Sequence, residues 1–267
     1  MSFSVNECSF KLEGVTVRYG NATALDAATL SIEPEEAVAL VGPSGAGKTT
    51  LLRLLNGTVS ATSGRVIAHG REVASLSPGE LRKLRSRIGF IHQDLSLVPN
   101  LRVIRNVMSG RIGRYSLAES IRSILFATHR EAAEVYQILQ QVGIEKNLYD
   151  STSRLSGGQQ QRVAIARALY QQPLSLLADE PVASVDPVRA RDTVALLVKI
   201  CREQGLTLCM SLHNLELARD HFNRLIGLRD GRIIFDRSNE NLTDDDFSLL
   251  YQLDQVEMRK EGARHYK

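Results

Sequence analysis

Polar and apolar positions alternate along residues 8–18 (CSFKLEGVTVR) and again along 23–32 (TALDAATLSI), the period-two pattern of strands with one covered face. Tyr19-Gly-Asn between them reads as a turn, so these two strands predict a small antiparallel sheet. The four apolar residues Val38–Val41 predict a buried strand, and Thr50–Leu55 a helix. Arg65–His69 reads as a short strand, followed by a polar connection from Gly70. Ser77-Pro78-Gly-Glu80 starts a helix, with Ser77 as cap and Pro78 in the first position, running to about Ser86. Ile88–His92 is again strand-like. Residues 101–145 change character: helical signals at Val103–Ser109, Leu117–Phe126 and Arg130–Val142 predict a helical insertion. Strand and helix then alternate: helix Gln160–Tyr170, strand from Leu174 to Ala178, helix from Pro187 to about Glu203, and strand Leu206–Leu212. Asp230-Gly231 joins Arg224–Leu228 to Arg232–Phe235 as a hairpin. Thr243–Asp246 caps a last amphipathic helix with Phe247, Leu250, Tyr251 and Leu253 inward, and the charged tail from Met258 reads as frayed. The predicted class is α/β: a mainly parallel sheet, an N-terminal antiparallel β subdomain and an inserted α-helical subdomain.

Composition changes this picture little. Among 267 residues, 43% are hydrophobic and 24% charged, which suits a globular chain with a real core. The 33 basic residues against 30 acidic leave a formal charge of +3, too balanced to point to nucleic acid as a partner. Arg82, Lys83, Arg85 and Arg87 cluster, and the favoured reading is a solvated helix face. Cys8, Cys201 and Cys209 form neither a disulfide framework nor a zinc motif, so a reducing compartment is expected. The N-terminus lacks the apolar core of a signal peptide, and no run of roughly 18 apolar residues occurs. Any membrane part is therefore expected from another chain.

The chemistry gathers where strands give way to loops. Gly42-Pro43-Ser44-Gly45-Ala46-Gly47-Lys48-Thr49 has the spacing G-x-x-x-x-G-K-[ST], after a strand and opening a helix. Glycines there let backbone N–H groups face a phosphate, Lys48 can reach the β- and γ-phosphates, and the Thr49 hydroxyl can bind Mg2+. Asp179 and Glu180 end a short apolar strand. Strand alternation points them in opposite directions, one to hold Mg2+ through water and the other to address the attacking water. Gln93 and His213 also follow strands, where ligands bind in open α/β sheets. For Gln93, spacing alone favours a loop residue that meets only solvent; for His213 it favours a place beside the γ-phosphate. Tyr19 either stacks on adenine or lies half-buried at a turn, and spacing does not choose. Leu155-Ser-Gly-Gly-Gln159 leads into a helix and makes a second candidate anion site, which one triphosphate in one chain would not need.

This order of motifs, over about residues 8–236, resembles the ATP-binding cassette (ABC) ATPases. Residues 42–49 resemble Walker A, with Thr50 beside it; Leu155–Gln159 the signature sequence; Leu174–Glu180 Walker B, with Ser175 departing from an all-apolar strand; Gln93 the Q-loop; Val182–Asp186 the D-loop; His213 the switch histidine; and Tyr19 the aromatic A-loop. The resemblance implies one ABC domain over 1–267, with a P-loop NTPase core at about 8–98 and 158–236, a helical subdomain at about 99–157 and a C-terminal helix at about 243–258. It implies two copies packed head to tail, so that Ser156, Gly157, Gly158 and Gln159 of one act on ATP held by Lys48 of the other. Thr49, Gln93 and Asp179 would hold Mg2+, Glu180 would polarise water, His213 would position it, and Asp186 would line the site.

More narrowly, residues 93–98, 106–113, 155–169 and 178–184 resemble the phosphonate importer ATPases, whereas Arg102 and Arg105 depart from the expected pattern. The resemblance implies an ATPase at the cytoplasmic face of a bacterial inner membrane. Its partners would be an integral-membrane permease and, indirectly, a periplasmic solute-binding protein. Two other readings stand beside it: a soluble ABC-type component of a phosphonate-processing enzyme complex, and an importer ATPase for a different solute. A regulatory cassette with little turnover is disfavoured, because Lys48, Glu180 and His213 are all present.

Overall fold

The two alternating stretches form long strands, β1 (Phe10–Tyr19) and β2 (Ala22–Ile32), paired antiparallel with Phe10 opposite Ile32. A computed structural model describes residues 8–115, 119, 122, 126–182, 186–243 and 245–251. Two further strands from beyond the glycine-rich loop, β4 (Ser63–Ala68) and β5 (Arg71–Glu72), complete this sheet in the order β2-β1-β4-β5. The stretch from Gly70, expected as a plain polar connection, thus adds a short edge strand.

The larger sheet is built on β3 (Ala37–Val41) and contains β6 (Ile88–Ile91), β7 (Ser175–Asp179), β8 (Thr207–Leu212), β9 (Arg224–Arg229) and β10 (Arg232–Ser238), in the order β10-β9-β3-β8-β7-β6. All neighbours are parallel except the edge hairpin β9–β10. Asp230 and Gly231 both have positive φ, 49° and 77°, as a two-residue hairpin turn requires. Strands β7 and β8 are buried along their whole length, which is why they read as continuous runs rather than alternations.

The two faces of β3 serve two cores. Val38 and Leu40 pack with the antiparallel sheet and with α1 (Lys48–Leu55). Ala39 and Val41 pack with the helices of the other layer. Those are α3 (Val103–Met108), α4 (His129–Gln141), α5 (Gly157–Tyr170), α6 (Pro187–Gln204) and α7 (Leu215–His221); α2 (Pro78–Arg85) flanks α1. Helix α7, capped by the Asn214 side chain accepting from Leu217 N–H, has no counterpart in the elements expected from sequence. The helical region shares the core of the main sheet, because Val135 of α4, Val107 of α3 and Val163 of α5 belong to one apolar cluster with Leu176 and Met210.

The basic residues of α2 do more than face solvent. Arg82 donates to the carbonyls of Ile112, Gly113 and Tyr115, and Arg85 to those of Asn56 and Gly57. Arg82, Lys83 and Arg85 are exposed, as a solvated face requires, and two of the guanidiniums also satisfy backbone acceptors in two loops. At the other end, Thr243 and Asp246 cap helical residues 245–251, with Leu250 buried and Phe247 edge-on to Phe235. The helix expected at Leu117–Phe126 lies almost wholly outside the described residues, as do 183–185 and everything beyond 251, Leu253 included.

Candidate functional site

The carboxyl ends of β6, β3, β7 and β8 deliver Gln93, Gly42, Asp179 and His213 to one edge of the parallel sheet. Ligands bind at this edge in open α/β sheets. The loop 42–47 is shaped by close approach. Gly42 has φ 152°, and a Cβ on it would fall 2.0 Å from the Leu228 carbonyl oxygen. Gly47 caps α1 at φ 102°, and a Cβ there would fall 2.5 Å from the Ala24 carbonyl oxygen. From the hairpin turn, Gly231 N–H donates to the Ala46 carbonyl at 3.2 Å. Ser44 and Gly45 are exposed at the tip, while Thr49 and Thr50 fall in the first turn of α1. That turn holds no acidic residue, so its N–H groups and positive end are open to an anion.

Lys48 is only 4% exposed. Its Nζ donates to the carbonyls of Gly42 (2.8 Å) and Pro43 (3.0 Å) and stands 3.8 Å from Glu180 Oε1. Burial pulls its pKa below the ordinary lysine value, and the carboxylates of Glu180 and Asp179 offset part of that.

Asp179, also buried, accepts hydrogen bonds at Oδ1 from Thr49 Oγ1 (2.9 Å) and Ser211 Oγ (3.0 Å). The expectation that Asp179 and Glu180 point apart is not met. Glu180 leaves the strand with φ 46°, a left-handed conformation, so strand alternation does not extend to it. Its carboxylate swings back to the phosphate loop, with Oε1 2.5 Å from His213 Nε2 as well as near Lys48. Glu180 N–H donates to Ser211 Oγ at 2.8 Å. Lysine, two acids, the Thr49 hydroxyl and a histidine thus meet within one connected set of contacts. Gln93 is exposed in the first turn after β6. Tyr19 ends β1 and is 53% exposed. No hydrogen bond places either of them in that set.

The signature stretch lies on another wall. Ser156 caps α5 and forms a capping box with Gln159. Gly157 has nothing within 4 Å of where a Cβ would stand. Ser156, Gly158 and Gln159 share a cavity with Arg162, Arg189, Asp192 and Thr193, and no residue of the phosphate loop lines it. Asp186 caps α6 by accepting from Arg189 N–H (3.1 Å) and pairs with the Arg189 guanidinium (3.3 Å), which fixes one side of that cavity. Ser175, the departure in Walker B, lies at the far end of β7 from Asp179. It hydrogen-bonds His69 Nε2 at 3.1 Å, away from the chemistry.

Sequence reasoning passed over Ser211. Its signal was a hydroxyl near the carboxyl end of a largely apolar strand, two residues before His213. It also passed over Asn106, buried in α3, which donates to the Val98 carbonyl and the Thr152 hydroxyl and accepts from Val98 N–H.

The sequence model of the ABC transporter family (ABC_tran) matches residues 25–183. The chain is 47% identical over 241 residues to "Phosphonates import ATP-binding protein PhnC" of Anaeromyxobacter dehalogenans (strain 2CP-C), covering 90% of this chain and 48% of that protein. It therefore spans about half the length of that relative. It is 40% identical over 253 residues to the protein of the same name from Pseudomonas putida (KT2440), covering 95% of this chain and 93% of that one. Its fold is similar to that in "Dimeric structure of a post-hydrolysis state of the ATP-binding cassette MJ0796 bound to ADP and Pi", with TM-score 0.76 and 32% identity over 87% of this chain and 100% of that one. With the phosphate loop, the paired acids and the histidine converging as described, the chain belongs to the ABC transporter family and is one of its ATP-binding cassettes.

Proposed function

We propose that this chain is the ATP-hydrolysing subunit of a bacterial importer for phosphonate or a related phosphorus oxyanion, driving a separate permease from the cytoplasmic face of the inner membrane. The observation that carries the hydrolytic reading is the Glu180 carboxylate between Lys48 Nζ and His213 Nε2 at the phosphate loop. The solute follows from the names of the relatives, since no residue of a cassette need touch it.

ATP takes the loop N–H groups and the α1 terminus as its phosphate cradle, and Tyr19 offers a ring to adenine. Lys48 exchanges the Gly42 and Pro43 carbonyls for β- and γ-phosphate oxygens. Thr49 and Asp179 supply a hydroxyl and a carboxylate side by side, oxygen donors that suit Mg2+, with Gln93 as a further oxygen. Bound there, Mg2+ would neutralise charge on the phosphates. Glu180 accepts a proton from water as the water oxygen bonds to the γ-phosphorus and the bond to the β-phosphate oxygen breaks, giving ADP and phosphate. His213 steadies Glu180 and the departing phosphate. The γ-phosphate is covered from above by Ser156–Gln159 of a second copy, in a C2 dimer with two such sites.

Glu180→Gln tests the chemistry. It keeps ATP binding and lowers turnover about 10²–10⁴-fold; full activity in this variant would remove Glu180 from the mechanism. Uptake of a labelled phosphonate by cells lacking and then regaining the chain tests the solute, and unchanged uptake overturns that part alone.

A further inference from the structure

Ser211 lies on β8, fully buried, and belongs to no motif named above. Its hydroxyl makes two bonds with opposite roles. It donates to Asp179 Oδ1 at 3.0 Å and accepts from Glu180 N–H at 2.8 Å. The first bond orients the carboxylate that also accepts from Thr49. The second satisfies the backbone of a residue held in the left-handed region, a strained conformation for a non-glycine residue that persists only when its surroundings over-determine it. Two residues further on, the chain ends β8 and presents His213 to the Glu180 carboxylate. One hydroxyl thus ties together the strand end that offers Asp179, the backbone bend that aims Glu180, and the strand that carries His213.

We infer that Ser211 is a positioning residue of the ATPase site, fixing the Asp179 carboxylate for Mg2+ and the Glu180 bend for water activation through a single hydroxyl. This rests on the ATPase reading above. Hydrogen-bonding partners of metal-ligating carboxylates act in this way: they hold the ligand's orientation, and their removal costs about 10–100-fold in metal affinity or activity. The Ser211 hydroxyl is engaged by Asp179 and by the Glu180 N–H, so its effect passes through those two residues.

Ser211→Ala and Ser211→Cys test it, the second preserving bulk while offering only a weak sulfur donor and acceptor. Expected in both are a kcat lowered about 10–100-fold and a rise of similar size in the Mg2+ concentration for half-maximal activity. A fluorescent ATP analogue titrated without Mg2+ should bind within about twofold of wild type, and Mg2+ should tighten its binding less than in wild type. Thermal unfolding shows which variants fold, and if the alanine variant does not, the cysteine variant decides. Folded variants with wild-type kcat and Mg2+ dependence overturn the inference, as does a loss of kcat with unchanged Mg2+ dependence of binding, because a single hydroxyl serving both Asp179 and Glu180 must move both readouts. An inactive wild-type protein overturns the ATPase reading instead.

Discussion

His69 shows how a residue far from the chemistry can set the conditions under which the molecule survives. Its ring packs against Phe10 with centroids 5.3 Å apart and bonds Ser175. Burial, with a smaller push from the charge of Arg87, lowers its pKa to about 4. The unfolded chain titrates the same imidazole near 6.5 and so binds more protons than the folded chain between those values. Stability is therefore full above about pH 6.5 and falls as pH drops towards 4, by on the order of 3 kcal/mol at most from this group. His69→Asn, which tolerates the local φ of 47°, should flatten the fall in Tm over that window. His92, whose pKa burial also depresses, keeps its own share of the slope. An unchanged slope would take His69 out of the account.

Among the elements, the join between the Gln93 loop and the helical region is made by Asn106 on α3. It is 1% exposed and holds Val98 by both N–H and C=O while donating to Thr152 Oγ1. Asn106→Ala leaves buried groups unpaired, so a loss of about 1–3 kcal/mol in denaturant stability is expected. Faster proteolysis near Val98 should accompany it; equal stability would show that water replaces the amide. This clamp was not legible in the sequence, and the reason is general. The Ser77–Glu80 capping box was legible because its partners are three residues apart. Asn106 and Thr152 are 46 apart, and Ser211 and Asp179 are 32 apart. Period and spacing locate elements and local caps, and they carried the phosphate loop, the paired acids and His213. They do not reveal which distant backbone carbonyl an Arg82 will find, or that Glu180 will turn back because φ there is positive.

For the whole molecule, the open face at Gly157 matters most. A Cβ at that position has nothing within 4 Å among the described residues, and its φ is not positive. Gly157→Asp also places an acid in the first turn of α5, where the helix dipole favours it. The variant should fold at least as stably as wild type and bind ATP at the phosphate loop with unchanged affinity. If a second copy covers this face, the variant should still elute at monomer mass with ATP, under conditions in which Glu180→Gln elutes at twice that mass, and turnover should fall with it. Dimerisation of a Gly157→Asp, Glu180→Gln double variant would place the contact elsewhere.

The hairpin turn at Asp230-Gly231 bears on how the protein is made. The phosphate loop emerges early in synthesis, yet Leu228 walls Gly42, Gly231 holds Ala46 and Asp26, and β3 is flanked by β8 and β9. Each of these supports leaves the ribosome long after the loop they shape, and such distant pairings also form slowly. A nascent chain halted before β9 carries every residue of the Gly42–Thr49 stretch and no finished cradle. A finished phosphate cradle is thus expected only once β9 and the turn after it have docked.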